Sequence, residues 1–73
     1  MVRIFVRDIG YLNVGNYSNA QRLAHDIARY KTRFIELDLD DHFPRSGKWK
    51  RVNIRIDDII LIEDEERTKK DMA

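Results

Sequence analysis

The chain has 73 residues, with 14 Lys and Arg, 13 Asp and Glu, and no cysteine. This length supports a single domain, and the missing cysteine excludes disulfides, thiol catalysis and thiolate metal sites. The longest apolar run, residues 59–62, is far below the roughly 20 residues that a membrane-spanning helix needs. Arg3 and Arg7 interrupt the apolar N-terminal segment, which argues against a secretory signal, so we expect a cytoplasmic protein with no membrane partner.

The N-terminal segment predicts a strand followed by a loop. Apolar and other residues alternate along residues 2–7, with Val2, Ile4 and Val6 on the same side. Residues 8–17 contain several turn formers, so we predict a loop there; they are Gly10, Asn13, Gly15 and Asn16.

The next segment predicts a helix over about residues 18–31. Ser18 and Gln21 have the spacing of a capping box, with Ser18 as the N-cap. A mostly alanine stripe follows at helical spacing, formed by Ala20, Leu23, Ala24, Ile27 and Ala28.

Two further alternating segments predict a β-hairpin. The first runs over residues 34–40 and the second over residues 49–56, and Pro44 and Gly47 lie in the loop between them. Pairing across this hairpin places Asp38 opposite Arg51 on the polar face, which helps to fix the register. Asp57 and Asp58 then predict a tight turn before a short apolar strand at residues 59–62.

The order of elements predicts an α+β fold in one domain, residues 1–63. The order is strand, helix, strand, strand and short strand, with one helix on one face of a small, mainly antiparallel sheet. The alternative is a small curled β-barrel with one helix. Residues 64–73 are almost all charged, and we expect a mostly disordered tail there.

Charge is unevenly distributed along the chain. Residues 1–55 carry 11 Lys and Arg against 6 Asp and Glu, whereas residues 56–73 carry 3 against 7. A basic body with an acidic end favours an anionic partner, or an acidic tail that competes with one. Because one helix cannot cover both faces of a sheet and a domain of this size buries only about 60% of its unfolded surface, we also expect a homo-oligomer.

The predicted hairpin loop interleaves cations with aromatic rings. Cations neutralise phosphates and flat rings stack on bases, so this composition suits a nucleic acid or a nucleotide. The candidate ligand-binding residues are Phe43, Arg45, Lys48, Trp49, Lys50 and Arg51, together with the nearby Arg55. The alternative for Trp49 is structural, with its ring packed against the helix or a neighbouring subunit.

The polar face of the predicted sheet is a second candidate surface. By alternation it holds Arg3, Phe5, Arg7, Phe34, Glu36, Trp49, Asn53 and Arg55. Aromatic residues and arginines on an open sheet are typical of RNA-binding sheets, and the same residue types dominate protein interfaces.

Catalysis and metal binding have little support in the sequence. Asp40, Asp41 and His42, with His25 elsewhere, are the only suggestion of a metal site, and their spacing matches no defined one. We expect no enzyme activity and no cofactor. The sequence favours a small non-catalytic binding or regulatory module that binds an anionic ligand, and the alternative is an inhibitor or adaptor that uses the same surface against another protein.

Overall fold

The computed structural model describes residues 1–30 and 33–64. In chain order the elements are β1 Val2–Val6, β2 Gly10–Val14, α1 Ala20–Arg29, β3 Phe34–Asp40, β4 Lys50–Arg55, a 3₁₀ helix at Ile56–Asp58, and β5 Ile59–Asp64. The strands form one antiparallel sheet in the order β4-β3-β2-β1-β5. The predicted α+β class with an antiparallel sheet and one helix is confirmed, and the sheet is not closed into a barrel.

The sheet is curled, although it is open. β4 and β5 lie at opposite edges, which a flat sheet would hold about 19 Å apart, at roughly 4.8 Å for each of four strand spacings. The chain from Arg55 to Ile59 spans at most about 14 Å, and the 3₁₀ helix between them shortens that reach. The ends of β4 and β5 at Arg55 and Ile59 must therefore lie closer together than in a flat sheet. Arg7 N–H donates to the Asp58 carbonyl at 2.8 Å, which continues the pairing of β1 with β5.

The prediction that residues 8–17 form only a loop is wrong, because they contain β2. The turn is short: Ile9 N–H donates to the Val6 carbonyl at 3.0 Å, and Val6 pairs with Gly10. Asp8 at φ 68° and Gly10 at φ 107° supply the left-handed backbone that reverses the chain. Gly10 and Asn13, which the sequence indicated as turn formers, thus belong to a hairpin whose second strand, β2, is stabilised by pairing with β1.

The hydrophobic core lies on one face of the sheet, here called the inner face. Its buried residues are Val2, Ile4, Val6, Leu12, Val14, Leu23, Ile35, Leu37, Leu39 and Ile54. The helix contributes only Leu23 to this fully buried set, with Ile27 packed at its border. The predicted alanine stripe is only partly correct, because Ala24 and Ala28 are exposed.

The N-cap of the helix lies one residue after Ser18, the predicted cap. Asn19, with an extended backbone, is the N-cap, and its side chain accepts a hydrogen bond from Arg22 N–H at 2.8 Å. The Asp64 carboxylate also accepts from Ala20 N–H at 2.8 Å, which ties the end of β5 to the helix N-terminus. At ten residues, the helix of the described chain is not long and apolar enough to cross a membrane.

The last strand extends beyond its predicted end. Asp64, the first residue of the predicted tail, is the final residue of β5, whereas residues 65–73 lie outside the described residues. The four predicted strands correspond to β1, β3, β4 and β5. The predicted pairing of Asp38 opposite Arg51 is also confirmed.

Candidate binding loop and sheet faces

The loop of residues 41–49 is organised around one carboxylate. Asp40 is buried, and its side chain accepts hydrogen bonds from the backbone N–H groups of His42 at 2.9 Å, Ser46 at 2.7 Å and Gly47 at 3.0 Å. The Ser46 hydroxyl also lies 3.1 Å from this carboxylate. These donors, that of His42 first, hold the pKa of Asp40 well below its usual range even though burial opposes the charge. Asp40 therefore gives the loop a defined shape.

A second buried polar side chain fastens the loop to the hairpin of β1 and β2. Asn13 on β2 is buried, and its Nδ2 donates to the Asp40 carbonyl at 3.3 Å and to the His42 carbonyl at 2.8 Å. The start of the loop is thus held by the Asp40 carboxylate and by Asn13 of β2. These contacts together position the loop residues that follow His42.

The Trp49 ring packs against Gly15, at the end of β2. A Cβ placed on Gly15 would lie 2.9 Å from Cδ2 and Cε3 of the indole and 3.0 Å from Cε2. Near-equal distances to three carbons at the ring fusion mean that the ring presents its face to Gly15. Trp49 nevertheless remains 38% exposed, so the ring is supported on one side and accessible to a ligand elsewhere.

Lys48 and Lys50 lie on the side of the chain opposite the contact between Trp49 and Gly15. Both line a groove of about 460 Å³ on the inner face. Its apolar lining comes from Ile9, Leu12, Leu39, Val52 and Ile54. Within residues 1–30 and 33–64, neither lysine has a carboxylate within ion-pair distance.

Arg51 is occupied by carboxylates on β3. Its Nη2 donates to Asp38 at 3.3 Å, its Nε bonds the same carboxylate, and its Nη1 lies 3.6 Å from Glu36. The Asp38 carboxylate, with a smaller contribution from Glu36, raises the pKa of the Arg51 guanidinium. Arg51 is therefore less available to a phosphate than its sequence position suggested.

Of the remaining predicted site residues, Phe43 and Arg45 lie in the loop of residues 41–49, and Arg55 lies outside it. Phe43 is half-exposed within the loop, next to a cis bond to Pro44, and Arg45 lies in the same loop. Arg55 is at the far end of β4, paired with Phe34. The structure thus keeps Phe43, Arg45, Lys48 and Trp49 in one loop, and it separates them from Arg55.

The opposite face of the sheet, here called the outer face, holds an aromatic and ionic cluster. Phe5 and Tyr11 meet edge to face with ring centroids 4.9 Å apart, and the Arg3 guanidinium carbon lies 5.2 Å from the Tyr11 centroid. Arg3 Nε also donates to Glu63 at 2.7 Å. Strand register places four of the predicted residues on this face, namely Phe34, Glu36, Asn53 and Arg55. Arg7 follows the end of β1, and its Nε lies 3.5 Å from an Asp58 carboxylate oxygen.

The acidic cluster beside the loop is committed to structure. Ligand atoms of Asp40, Asp41 and His42 lie within 4.8 Å of one another. Both oxygens of Asp40 already accept hydrogen bonds from the loop, and His42 Nδ1 lies 3.1 Å from Asp41. His25 is exposed on α1 and does not belong to this cluster. The arrangement explains the shape of the loop without any cation.

Three residues that shape the site were not predicted from the sequence. Asn13 and Gly15 lay in a segment taken as loop, and Asp40 was considered only as a metal ligand. Asp40 ends an alternating strand, and a Ser-Gly pair follows it six residues later; this combination is the signal that could have identified Asp40 as a loop anchor.

Comparisons with protein-family models, with curated proteins and with solved structures return no match for this chain.

Proposed function

We propose that this chain is a non-catalytic binding module that takes single-stranded nucleic acid at the loop of residues 41–49. The strongest support is the position of Trp49. Its ring packs against Gly15, and the residue is still 38% exposed. A ring held in this way needs no reorganisation before a base stacks on it. Stacking on such a ring contributes about 1–3 kcal/mol per base.

The charge around Trp49 supports an anionic ligand. Arg45 and Lys48 belong to the same loop, and the Asp40 carboxylate is already consumed by hydrogen bonds within it. Lys48 has no ion-pair partner in the described chain. A cation without a carboxylate partner interacts with a phosphate at full charge, and its counterion release makes binding sensitive to salt.

The positions of Trp49 and Lys48 favour a polymer over a mononucleotide. Trp49 faces Gly15, whereas Lys48 borders the inner-face groove on the other side of the chain. A single nucleotide stacked on Trp49 lies on the side of the chain that faces Gly15, whereas consecutive nucleotides of a strand passing around the loop meet Lys48 on the groove side as well. We therefore expect an oligonucleotide to bind more tightly than its mononucleotide.

Fluorescence anisotropy of a labelled oligothymidylate at low ionic strength tests this proposal. Lys48→Gln should weaken binding and reduce the slope of log K against log salt by about 0.7, the value for one phosphate of a single strand. Trp49→Ala should weaken binding about 5-fold to 150-fold, which corresponds to the stacking energy above, and leave that slope nearly unchanged.

Arg29→Gln is the matched control, because it removes one exposed cation from the last turn of the helix and not from the loop. Circular dichroism of each variant should match the wild type before its affinity is compared. Equal losses in Lys48→Gln and Arg29→Gln would reduce the interaction to non-specific charge attraction, and no binding by the wild type at low salt would refute the proposal.

The outer-face cluster supports a second candidate function, a protein–protein contact. Arg3 already has Glu63 as its ionic partner, so a protein could cover it without leaving a buried charge unpaired. Tyr11, 45% exposed beside Phe5, offers the kind of aromatic anchor that interfaces use. Under this alternative, Tyr11→Ala abolishes capture of a protein partner in a pull-down and Lys48→Gln does not.

A further inference from the structure

A cleft of about 760 Å³ lies between the helix and the outer face of β3 and β4. Its lining combines aromatic rings, carboxylates and hydrogen-bond donors, which come from Arg22, Asp26 and Tyr30 on the helix side and from Phe34, Glu36 and Asn53 on the sheet. None of these residues belongs to the loop of residues 41–49 or lines the inner-face groove. The cleft is therefore a surface distinct from both.

The cleft adjoins the Trp49 ring. Trp49 packs on Gly15, and Asn16, the next residue, lines the cleft. Asn16 is fixed there, because its side chain donates to the Glu36 carbonyl at 3.3 Å and accepts from Asp38 N–H at 3.0 Å. A nucleic-acid strand stacked on Trp49 therefore has the cleft directly beside it.

Two neighbouring polar side chains face the cleft from the sheet. Glu36 on β3 pairs with Asn53 on β4, and both lie on the outer face. Directly opposed residues of antiparallel strands have Cβ atoms about 4.5–5.5 Å apart. Together they present two carboxylate oxygens and one amide side by side, a width comparable with the edge of one nucleobase.

Both side chains keep hydrogen-bonding capacity for a ligand. Among residues 1–30 and 33–64, the Asn53 side chain makes no hydrogen bond. Glu36 has Arg51 as its ionic neighbour, but the Arg51 Nη1 lies 3.6 Å away, which is too far for a strong hydrogen bond. The Glu36 carboxylate can therefore accept from a ligand with both oxygens.

We propose that the cleft binds a guanine of the same single strand that stacks on Trp49, with the edge of the base on Glu36 and Asn53. This inference rests on the proposed function, because Trp49 is what brings the strand to the cleft. Guanine alone among the common bases has two adjacent donors, N1–H and the N2 amino group, beside one acceptor, O6. The Glu36 carboxylate accepts from both donors, and Asn53 Nδ2 donates to O6.

The other bases fit this pair of side chains less well. Adenine and cytosine place a ring-nitrogen lone pair beside their single amino group, and thymine has a carbonyl on each side of its single N–H. Each of them therefore turns a lone pair toward one oxygen of Glu36. The neighbouring rings are indifferent to base identity: Phe34 is 51% exposed and Tyr30 is 46% exposed, and both supply surface for stacking.

The distance from Trp49 suits neighbouring nucleotides of one strand. Gly15 N–H donates to the Asp38 carbonyl at 2.8 Å, so the ring contact lies level with Asp38. Glu36 is two residues away along β3, which is about 7 Å. A stacked strand advances about 3.4 Å per nucleotide. A base two positions from the one on Trp49 therefore reaches Glu36.

The helix side of the cleft offers a cation for the phosphate. Asp26 accepts from the Tyr17 hydroxyl at 2.6 Å. Burial, and then this hydrogen bond, raise the pKa of Tyr17, so the hydroxyl keeps its proton and the wall stays in place. Arg22, one turn before Asp26, has no carboxylate within ion-pair distance in the described part of the chain. Its guanidinium is therefore available to the phosphate of the bound nucleotide.

Fluorescence anisotropy with three labelled oligonucleotides tests the inference. The first is an oligothymidylate, the second has one central thymine replaced by guanine, and the third has adenine at that position to control for purine stacking. The wild type should bind the guanine oligomer about 5-fold to 150-fold more tightly than the oligothymidylate, the range for one bidentate base contact. The adenine oligomer should not share this gain.

Glu36→Gln should abolish the guanine preference, because an amide has one acceptor oxygen where the carboxylate has two. Asp57→Asn, the matched control, removes one exposed carboxylate outside the cleft and should keep the preference. The ratio of the guanine and thymine affinities cancels the general gain in attraction that follows the loss of a negative charge. Trp49→Ala should weaken binding of both oligomers and leave that ratio unchanged. Circular dichroism of each variant should match the wild type.

Four results would overturn the inference while leaving binding at the loop intact. They are equal binding of the guanine and thymine oligomers by the wild type, a gain that adenine shares, a preference that survives Glu36→Gln or is also lost in Asp57→Asn, and a preference that disappears in Trp49→Ala. A wild type that binds none of the three oligomers at low salt would overturn both this inference and the proposed function.

Discussion

Trp49 and Gly15 are joined by a contact that passes across the sheet, with the indole face resting where any other residue would place a Cβ. Gly15 lies just after β2 and Trp49 just before β4, so the ring spans from one side of β3 to the other. The glycine is needed here for space, because a Cβ would approach the ring to 2.9 Å. This contact fixes the position of the only tryptophan in the chain.

Gly15→Ala should destabilise the fold by about 1–3 kcal/mol, the usual cost of overpacking. The new methyl group must displace the Trp49 ring. Combining it with Trp49→Ala tests the cause: the cost of the alanine at position 15 should largely disappear when the ring is absent, as measured by urea unfolding of all four proteins. An equal cost in both backgrounds would show that the backbone, and not the ring, demands glycine.

Leu23→Ala should destabilise the protein by about 2–5 kcal/mol, because it removes the one fully buried side chain of the helix. Ala28→Gln, at an exposed position of the same helix, should change stability by less than about 0.5 kcal/mol. Thermal unfolding of the pair measures how far the helix depends on a single anchor. A large effect of Ala28→Gln would mean that the outer side of the helix is covered.

Asp40→Asn should lower the melting temperature at neutral pH, because an amide replaces the charged acceptor of the loop hydrogen bonds. The pKa of Asp40 is lowered in the folded chain, so its stabilising effect is complete above the unfolded value of about 3.9 and is lost as pH falls below it. The difference in melting temperature between wild type and variant should therefore shrink between about pH 5 and pH 3. A difference that is constant over this range would contradict the role assigned to the charge.

Asn16→Ala should open the junction between β2 and β3. The Asn16 side chain accepts from Asp38 N–H at 3.0 Å and donates to the Glu36 carbonyl at 3.3 Å, which extends a ladder that has only two register pairs. Hydrogen exchange at the Asp38 amide should accelerate in the variant, while exchange at β1 amides should change little. Unchanged exchange at Asp38 would show that this backbone donor does not depend on Asn16.

The alternation of apolar residues predicted β1, β3 and β4, and the short apolar run at residues 59–62 predicted β5. The hairpin of β3 and β4 with its Asp38–Arg51 pair followed from the alternation. β2 was missed because Asn13 is a turn former by local preference and is here buried in a strand. Its side chain is stabilised by carbonyl groups of residues 40 and 42, far along the chain. A single sequence contains no direct record of that contact.

The candidate site was predicted by composition and only partly by position. The loop and its exposed aromatic residues are where the sequence placed them, but Lys48 and Lys50 border the inner-face groove whereas Trp49 packs against Gly15. The contact with Gly15 could not be predicted, since it depends on β2 lying between β1 and β3. Likewise, the engagement of Arg51 by Glu36 depends on the final register of the hairpin.

Titration of Trp49 emission with an oligothymidylate tests the central claim most directly. The chain has one tryptophan, so the signal reports on the proposed stacking surface without any label. Stacking of a base on the ring should quench the emission in a saturable manner at low salt, and added salt should restore it as phosphate contacts weaken. Emission that stays unchanged throughout the titration, with the protein folded, would contradict binding of nucleic acid at this loop.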